Sequence, residues 1–187
     1  MRLFVAVSPG ADVVRRIEHV IQAIRSKAPS AKWVKAENLH ITLAFLGEQP
    51  EAMAPKIGEA LSFVAAGRAP FDLHFKGGGG FGRPSRPKTL WAGCDGDTAS
   101  LSALQKAVEE ALSPLGFAPE KRDFAAHLTL ARARDTAGDL GLSRCVDALE
   151  TEDFGAASIQ EVTLYESRLS PSGPTYVPVH RARFGSA

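Results

Sequence analysis

Apolar residues return every three or four positions between Ala11 and Lys27, where Val13, Ile17, Val20, Ile21 and Ile24 fall on one stripe. That period predicts an amphipathic helix, opened after Pro9-Gly10 and closed by Pro29. The same spacing recurs from Ala99 to Leu115, with Leu101, Leu104, Val108 and Leu112 on the stripe and Pro114 and Gly116 at its end. Glu51 to about Ala66 and Leu140 to Leu149 read as two more helices. Between them lie shorter runs of strand character: Leu3 to Val7, Lys32 to Val34, Leu39 to Leu46, Phe71 to Phe75, Thr89 to Cys94, His127 to Ala133, Ile159 to Tyr165 and Thr175 to Phe184. Glycine dominates from Gly77 to Gly82, but no Gly-Lys-Ser/Thr follows and no helix begins there. That stretch therefore reads as a strand end or bulge beside a wide turn, not as a phosphate-cradling loop. Ser170-Pro171-Ser172-Gly173-Pro174 reads as a turn between two late strands.

The order is mixed α and β, and it contains an internal echo. Residues 1 to 47 run strand, helix, strand and end in His-Ile-Thr-Leu; residues 89 to 133 run strand, helix, strand and end in His-Leu-Thr-Leu. A duplicated lobe explains this economically. With 187 residues the chain has room for one buried unit or two small lobes sharing a core, so a single bilobal domain over residues 1–187 is expected.

Composition narrows the function. A net charge of +1 rules out a polyanion-coating protein held by its overall field, so any nucleic-acid contact must be local. Short basic clusters at Arg83, Arg86 and Lys88, at Lys121 and Arg122, at Arg132 and Arg134, and at Arg181 and Arg183 read mostly as solvated charge. Cys94 and Cys145 are too far apart for a Cys-x-x-Cys site and read as buried thiols. No apolar run is long enough for a membrane span or a signal-peptide core, so a cytoplasmic protein without membrane contact is expected; a monomer is the expectation for its assembly, though no residue pattern sets it.

The chemistry lies in the echoed motifs. On a strand, alternate side chains share a face, so His40 and Thr42 point one way while Ile41 and Leu43 anchor the other. His127 and Thr129 stand likewise against Leu128 and Leu130. Solvent-facing positions on two half-buried strands would account for one such motif, but two in a chain with five histidines are hard to reach by chance. His19, His74 and His180 lie in no such setting and receive no role. Two imidazoles without a neighbouring carboxylate or thiolate make a poor zinc site, so no metal and no cofactor is expected. In-line displacement at phosphorus suits them better: one imidazole accepts a proton from the attacking oxygen, the other donates one to the leaving oxygen, and the threonine hydroxyls hold the non-bridging oxygens.

The stretch Trp33-Val34-Lys35-Ala36-Glu37-Asn38-Leu39-His40-Ile41-Thr42-Leu43-Ala44-Phe45-Leu46-Gly47-Glu48 resembles the first motif of the RNA 2′,3′-cyclic phosphodiesterases of the 2H phosphoesterase superfamily, long called 2′-5′ RNA ligases. Similar segments occur at Arg2 to Ala6, Leu90 to Gly93, His127 to Arg132 and Leu164 to Tyr176, in the family's order. One departure is Ala126 before the second motif, where many members carry proline. The resemblance implies an α+β, bilobal fold in which two antiparallel sheets form a V-shaped cleft with helices outside. It implies hydrolysis of an RNA-terminal 2′,3′-cyclic phosphate to a 2′-phosphate, with His40 as acid, His127 as base, and Thr42 and Thr129 holding the phosphate. Sister readings are 2′-5′ ligation, hydrolysis of a small cyclic nucleotide, or a non-catalytic RNA-end-binding module.

Arg132 stands five residues after His127, and strict alternation puts it on the opposite face. The resemblance nonetheless implies an arginine at the phosphate, which requires the strand to twist or end before it. The same offset in the first motif is Phe45, read either as a core residue or as an aromatic lining a base site. Tyr165 and Ser167 fall in a family-like segment without a geometric reason to reach the cleft.

Overall fold

The computed structural model describes residues 1–171 and 173–185. Its elements in chain order are β1 (Arg2–Val7), α1 (Ala11–Ile24), β2 (Lys32–Trp33), β3 (Ile41–Glu48), α2 (Met53–Ala66), β4 (Phe71–Arg83), β5 (Arg86–Gly96), α3 (Thr98–Leu112), β6 (Leu128–Arg132), α4 (Leu140–Leu149), β7 (Asp153–Ile159), β8 (Glu161–Ser170) and β9 (Gly173–Arg183). They form two antiparallel sheets, ordered β3-β1-β8-β9 and β2-β6-β5-β4-β7, an α+β arrangement.

The echo is visible in the pairing. β1 pairs with β3 in the first sheet and β5 with β6 in the second, each pair joined through a helix. That helix crosses over each time: α1 packs on β7 of the second sheet, while α3 packs on β3 of the first. The swap interlocks the two sheets, and one cluster of buried residues draws on both, including Val5, Ile41 and Leu164 from the first and Phe75, Leu90 and Leu130 from the second. The helical stripe is as the period requires, with Val13, Ile17, Ile21 and Ile24 buried on α1. The predicted helix to Lys27 ends its last turn as a 3-10 segment, Arg25–Lys27. Likewise α3 begins under an Asp97 cap that accepts from the Ser100 N–H, and its tail, Ser113–Leu115, is 3-10.

Three expectations need correction. The glycine run is no wide turn: it lies within β4, bulged at Gly77, and the hairpin to β5 turns tightly between Arg83 and Arg86. Glycine is needed there because Trp91 lies flat over β4; a Cβ on Gly79 would come within 2.4 Å of its ring. The strand begun at Ile159 is two strands, with β7 ending at Ile159 and β8 starting at Glu161. Small residues in Asp153–Ile159 hid β7 from a hydrophobicity pattern. Third, Cys145 is buried but Cys94 is only partly so. Ser172, in the predicted turn, lies outside the described residues. No helix of the described residues is long and apolar enough to cross a membrane.

Candidate active site

Both motif histidines sit one residue before a strand, His40 ahead of β3 and His127 ahead of β6, rather than inside it as the apolar pattern suggested. Outside the ladder the local chain curls back, and each imidazole Nδ1 lies 2.7 Å from the carbonyl oxygen two residues earlier, Asn38 for His40 and Ala125 for His127. A carbonyl only accepts, so Nδ1 carries the proton and donates. That leaves Nε2 of each neutral ring as the basic end. His40 Nε2 lies 2.9 Å from Thr42 Oγ1, so the threonine hydroxyl donates to it.

A bulge resolves the placement of Arg132. Thr129 pairs with Trp91 and Arg132 with Thr89, which leaves Leu130 unmatched in β6. Trp91 and Thr89 are two apart on β5 and share a face, so Thr129 and Arg132 share it too. The extra residue sends Leu130 and Ala131 both into the core, where each is fully buried. An Arg132 guanidinium nitrogen stands 3.5 Å from Thr89 Oγ1. Strict alternation fails here because one residue is left out of the ladder.

The first motif has the same device. Thr42 pairs with Ala6 and Phe45 with Phe4, with a shift that leaves Leu43 unmatched. Phe45 thereby joins the face of Thr42 and is 75% exposed, so the core reading of Phe45 is wrong. It lines a cavity of about 200 Å³ with Phe117, Gly116 and Glu120.

Aromatic rings flank both imidazoles. Phe4 lies 4.9 Å from the His40 ring centroid, and Tyr176 meets His40 edge-on at 5.2 Å. Tyr165 stacks on Phe4 at 5.3 Å, so it backs the site from one layer behind. Phe81 meets His127 edge-on at 4.9 Å and leans on Trp91. The family-like segments contained Phe4, Trp91, Tyr165 and Tyr176, but only the pairing reveals which of them turn to the histidines. Phe81 had no signal beyond its place in the glycine run.

Burial holds the His40 pKa below its usual value, helped by the positive charges of Arg132 and His127 and opposed by the bond to the Asn38 carbonyl. The Arg132 charge also acts on Tyr176 of the first sheet. Arg132 and His127 thus act electrostatically on the wall that carries His40. No group of three or more His, Cys, Asp or Glu among the described residues is placed to hold a metal ion.

Asn38 was not singled out from the sequence. Its side chain is buried and donates to the Pro174 carbonyl at 2.8 Å, while its own carbonyl accepts from His40. It therefore pins the strand that carries Tyr176 to the segment that orients His40. Asn38→Ala is expected to cost about 1–3 kcal/mol of stability, because the Pro174 carbonyl loses its donor. A denaturation midpoint equal to that of the parent protein would contradict this.

Residues 13–170 match the model of the 2′-5′ RNA ligase superfamily. A relative from Archaeoglobus fulgidus, named RNA 2′,3′-cyclic phosphodiesterase, is 36% identical over 94% of this chain and 96% of its own. One from Aeropyrum pernix with the same name is 32% identical over 94% and 98%. Among solved structures, TT0787 of Thermus thermophilus superposes with a TM-score of 0.83 at 26% identity, covering 99% of this chain and 98% of that one. E. coli LigT complexed with 3′-AMP reaches 0.73 at 24% identity over the same shares, a likeness of fold.

Proposed function

The chain belongs to the 2′-5′ RNA ligase superfamily, and from that membership and the paired imidazoles we propose that it hydrolyses 2′,3′-cyclic phosphates on RNA ends. The relatives' shared name supports the substrate class. The observation that carries the mechanism is the matched tether of both histidines: each Nδ1 is fixed by a backbone carbonyl, so each Nε2 is oriented as a proton acceptor or, once protonated, a donor.

The cyclic phosphate lies between the two walls of one bilobal unit. Water attacks phosphorus opposite the ribose O3′; its proton goes to His127 Nε2, the P–O3′ bond breaks, and the proton on His40 Nε2 passes to O3′. The product carries a 2′-phosphate and a 3′-hydroxyl. Thr42 and Thr129 donate hydrogen bonds to the non-bridging oxygens, and Arg132 balances their charge. Phe45, exposed on the His40 wall, lines the base site. Binding an anion beside His40 opposes the burial and the Arg132 charge that lower its pKa, so bound substrate favours the protonated His40 that the step needs.

The direct test is product analysis on RNA ending in a 2′,3′-cyclic phosphate. A 2′-phosphate supports the reading; a 3′-phosphate, or no turnover, defeats it. Because no group of three or more His, Cys, Asp or Glu among the described residues is placed to hold a metal ion, hydrolysis is expected to continue undiminished after exhaustive chelation. Activity lost with EDTA and restored by a divalent cation would refute the metal-free chemistry.

A further inference from the structure

The rung of the second sheet that ends at Arg132 carries another cation. Lys32 on β2 pairs directly with Arg132 on β6, and Arg132 pairs with Thr89 on β5. Directly paired residues of an antiparallel ladder put their side chains on the same face. Lys32 therefore stands beside Arg132 on the face that carries Thr129. Both side chains are exposed. Neither has an ion pair among the described residues, and Arg132 has only the long bond to the Thr89 hydroxyl. Like charges directly opposite each other destabilise a sheet. Some cations of the two sheets are matched with acids, as in Lys76 with Asp95 and Arg181 with Glu161, whereas Arg83 and Arg86 face each other at the β4–β5 turn, outside both histidine motifs. Two adjacent, unneutralised cations at the end of the cleft wall are arranged for anions.

Resting on the function proposed above, we infer that Lys32 forms a second phosphate subsite, which takes the phosphodiester on the 5′ side of the terminal nucleotide. Arg132 faces the cyclic phosphate. The next phosphate of the RNA chain is one ribose away, a separation that one strand-to-strand step of about 5 Å, together with a flexible lysine stem, can meet. The subsite makes the enzyme read an RNA chain rather than a lone nucleotide. It adds affinity only for substrates with that phosphate, and it has no part in proton transfer.

Three substrates test this: a nucleoside 2′,3′-cyclic phosphate with a free 5′-hydroxyl, a dinucleotide with the same end, and that dinucleotide with a neutral methylphosphonate linkage. Lys32→Ala is expected to lower kcat/KM on the charged dinucleotide about tenfold, and to leave the other two within twofold. The slope of log kcat/KM against log salt on the charged dinucleotide should shrink by about 0.7, the value for one contact to a single strand. Lys32→Arg should retain most of the rate, and Lys106→Ala, on the outer helix α3, should change nothing. An equal loss on all three substrates, or none on the charged dinucleotide, overturns the subsite while leaving the hydrolytic reading intact. A parent enzyme inert on all three overturns that reading and the subsite with it.

Discussion

His127→Ala and His40→Ala are each expected to lose about 10²- to 10⁴-fold in turnover of a 2′,3′-cyclic phosphate, the usual contribution of a positioned acid or base. Both rings lie outside the ladders and pack against aromatic edges, so the substitutions remove chemistry more than structure. The two losses should differ in kind. With a substrate whose leaving group departs unprotonated, such as a nitrophenyl phosphodiester, the acid is no longer needed. His40→Ala should then recover much of its rate, and His127→Ala should not. The reverse pattern would exchange the roles. Equal recovery of both variants, or an unimpaired single variant on the RNA substrate, would end the acid–base pair as a mechanism.

The helices and most strands were legible because their hydrophobic periods are strong: four buried positions on α1 at helical spacing leave little choice. β7 was not, because alanine, serine and glycine carry no period, and its place is set by pairing with β4. The two histidines and threonines were legible as a repeated pattern. The positions of Arg132 and Phe45 were not, since the rule of alternation assumes an unbroken ladder. One unmatched residue in each strand, Leu130 and Leu43, reverses the rule beyond it. Both fall at the fourth position of the motif, so the repeated pattern includes the bulge. Asn38 was out of reach for another reason: its partner Pro174 is 136 residues away in the chain.

Arg132→Ala is expected to weaken binding of a 2′-phosphorylated nucleotide by about 10- to 100-fold, the worth of a charge-assisted bond of roughly 1.5–3 kcal/mol. The melting temperature should stay within about a degree, because the side chain is exposed and its only hydrogen bond among the described residues is long. The same substitution should also move a proton equilibrium. The Arg132 charge helps to hold His40 below its usual pKa of 6.5. Removing that charge lets His40 keep its proton to higher pH. With His40 as the acid, kcat/KM of the parent enzyme falls as pH rises through the His40 pKa of the free enzyme, below 6.5. In Arg132→Ala this alkaline limb should shift upward. In kcat, which reports the complex, the parent limb should already stand higher, because the bound phosphate supplies the compensating negative charge. A bell whose acid limb moves instead would make His40 the base. If affinity and both limbs are unchanged, Arg132 has no part in phosphate recognition, and the bulge merely presents a surface arginine to solvent.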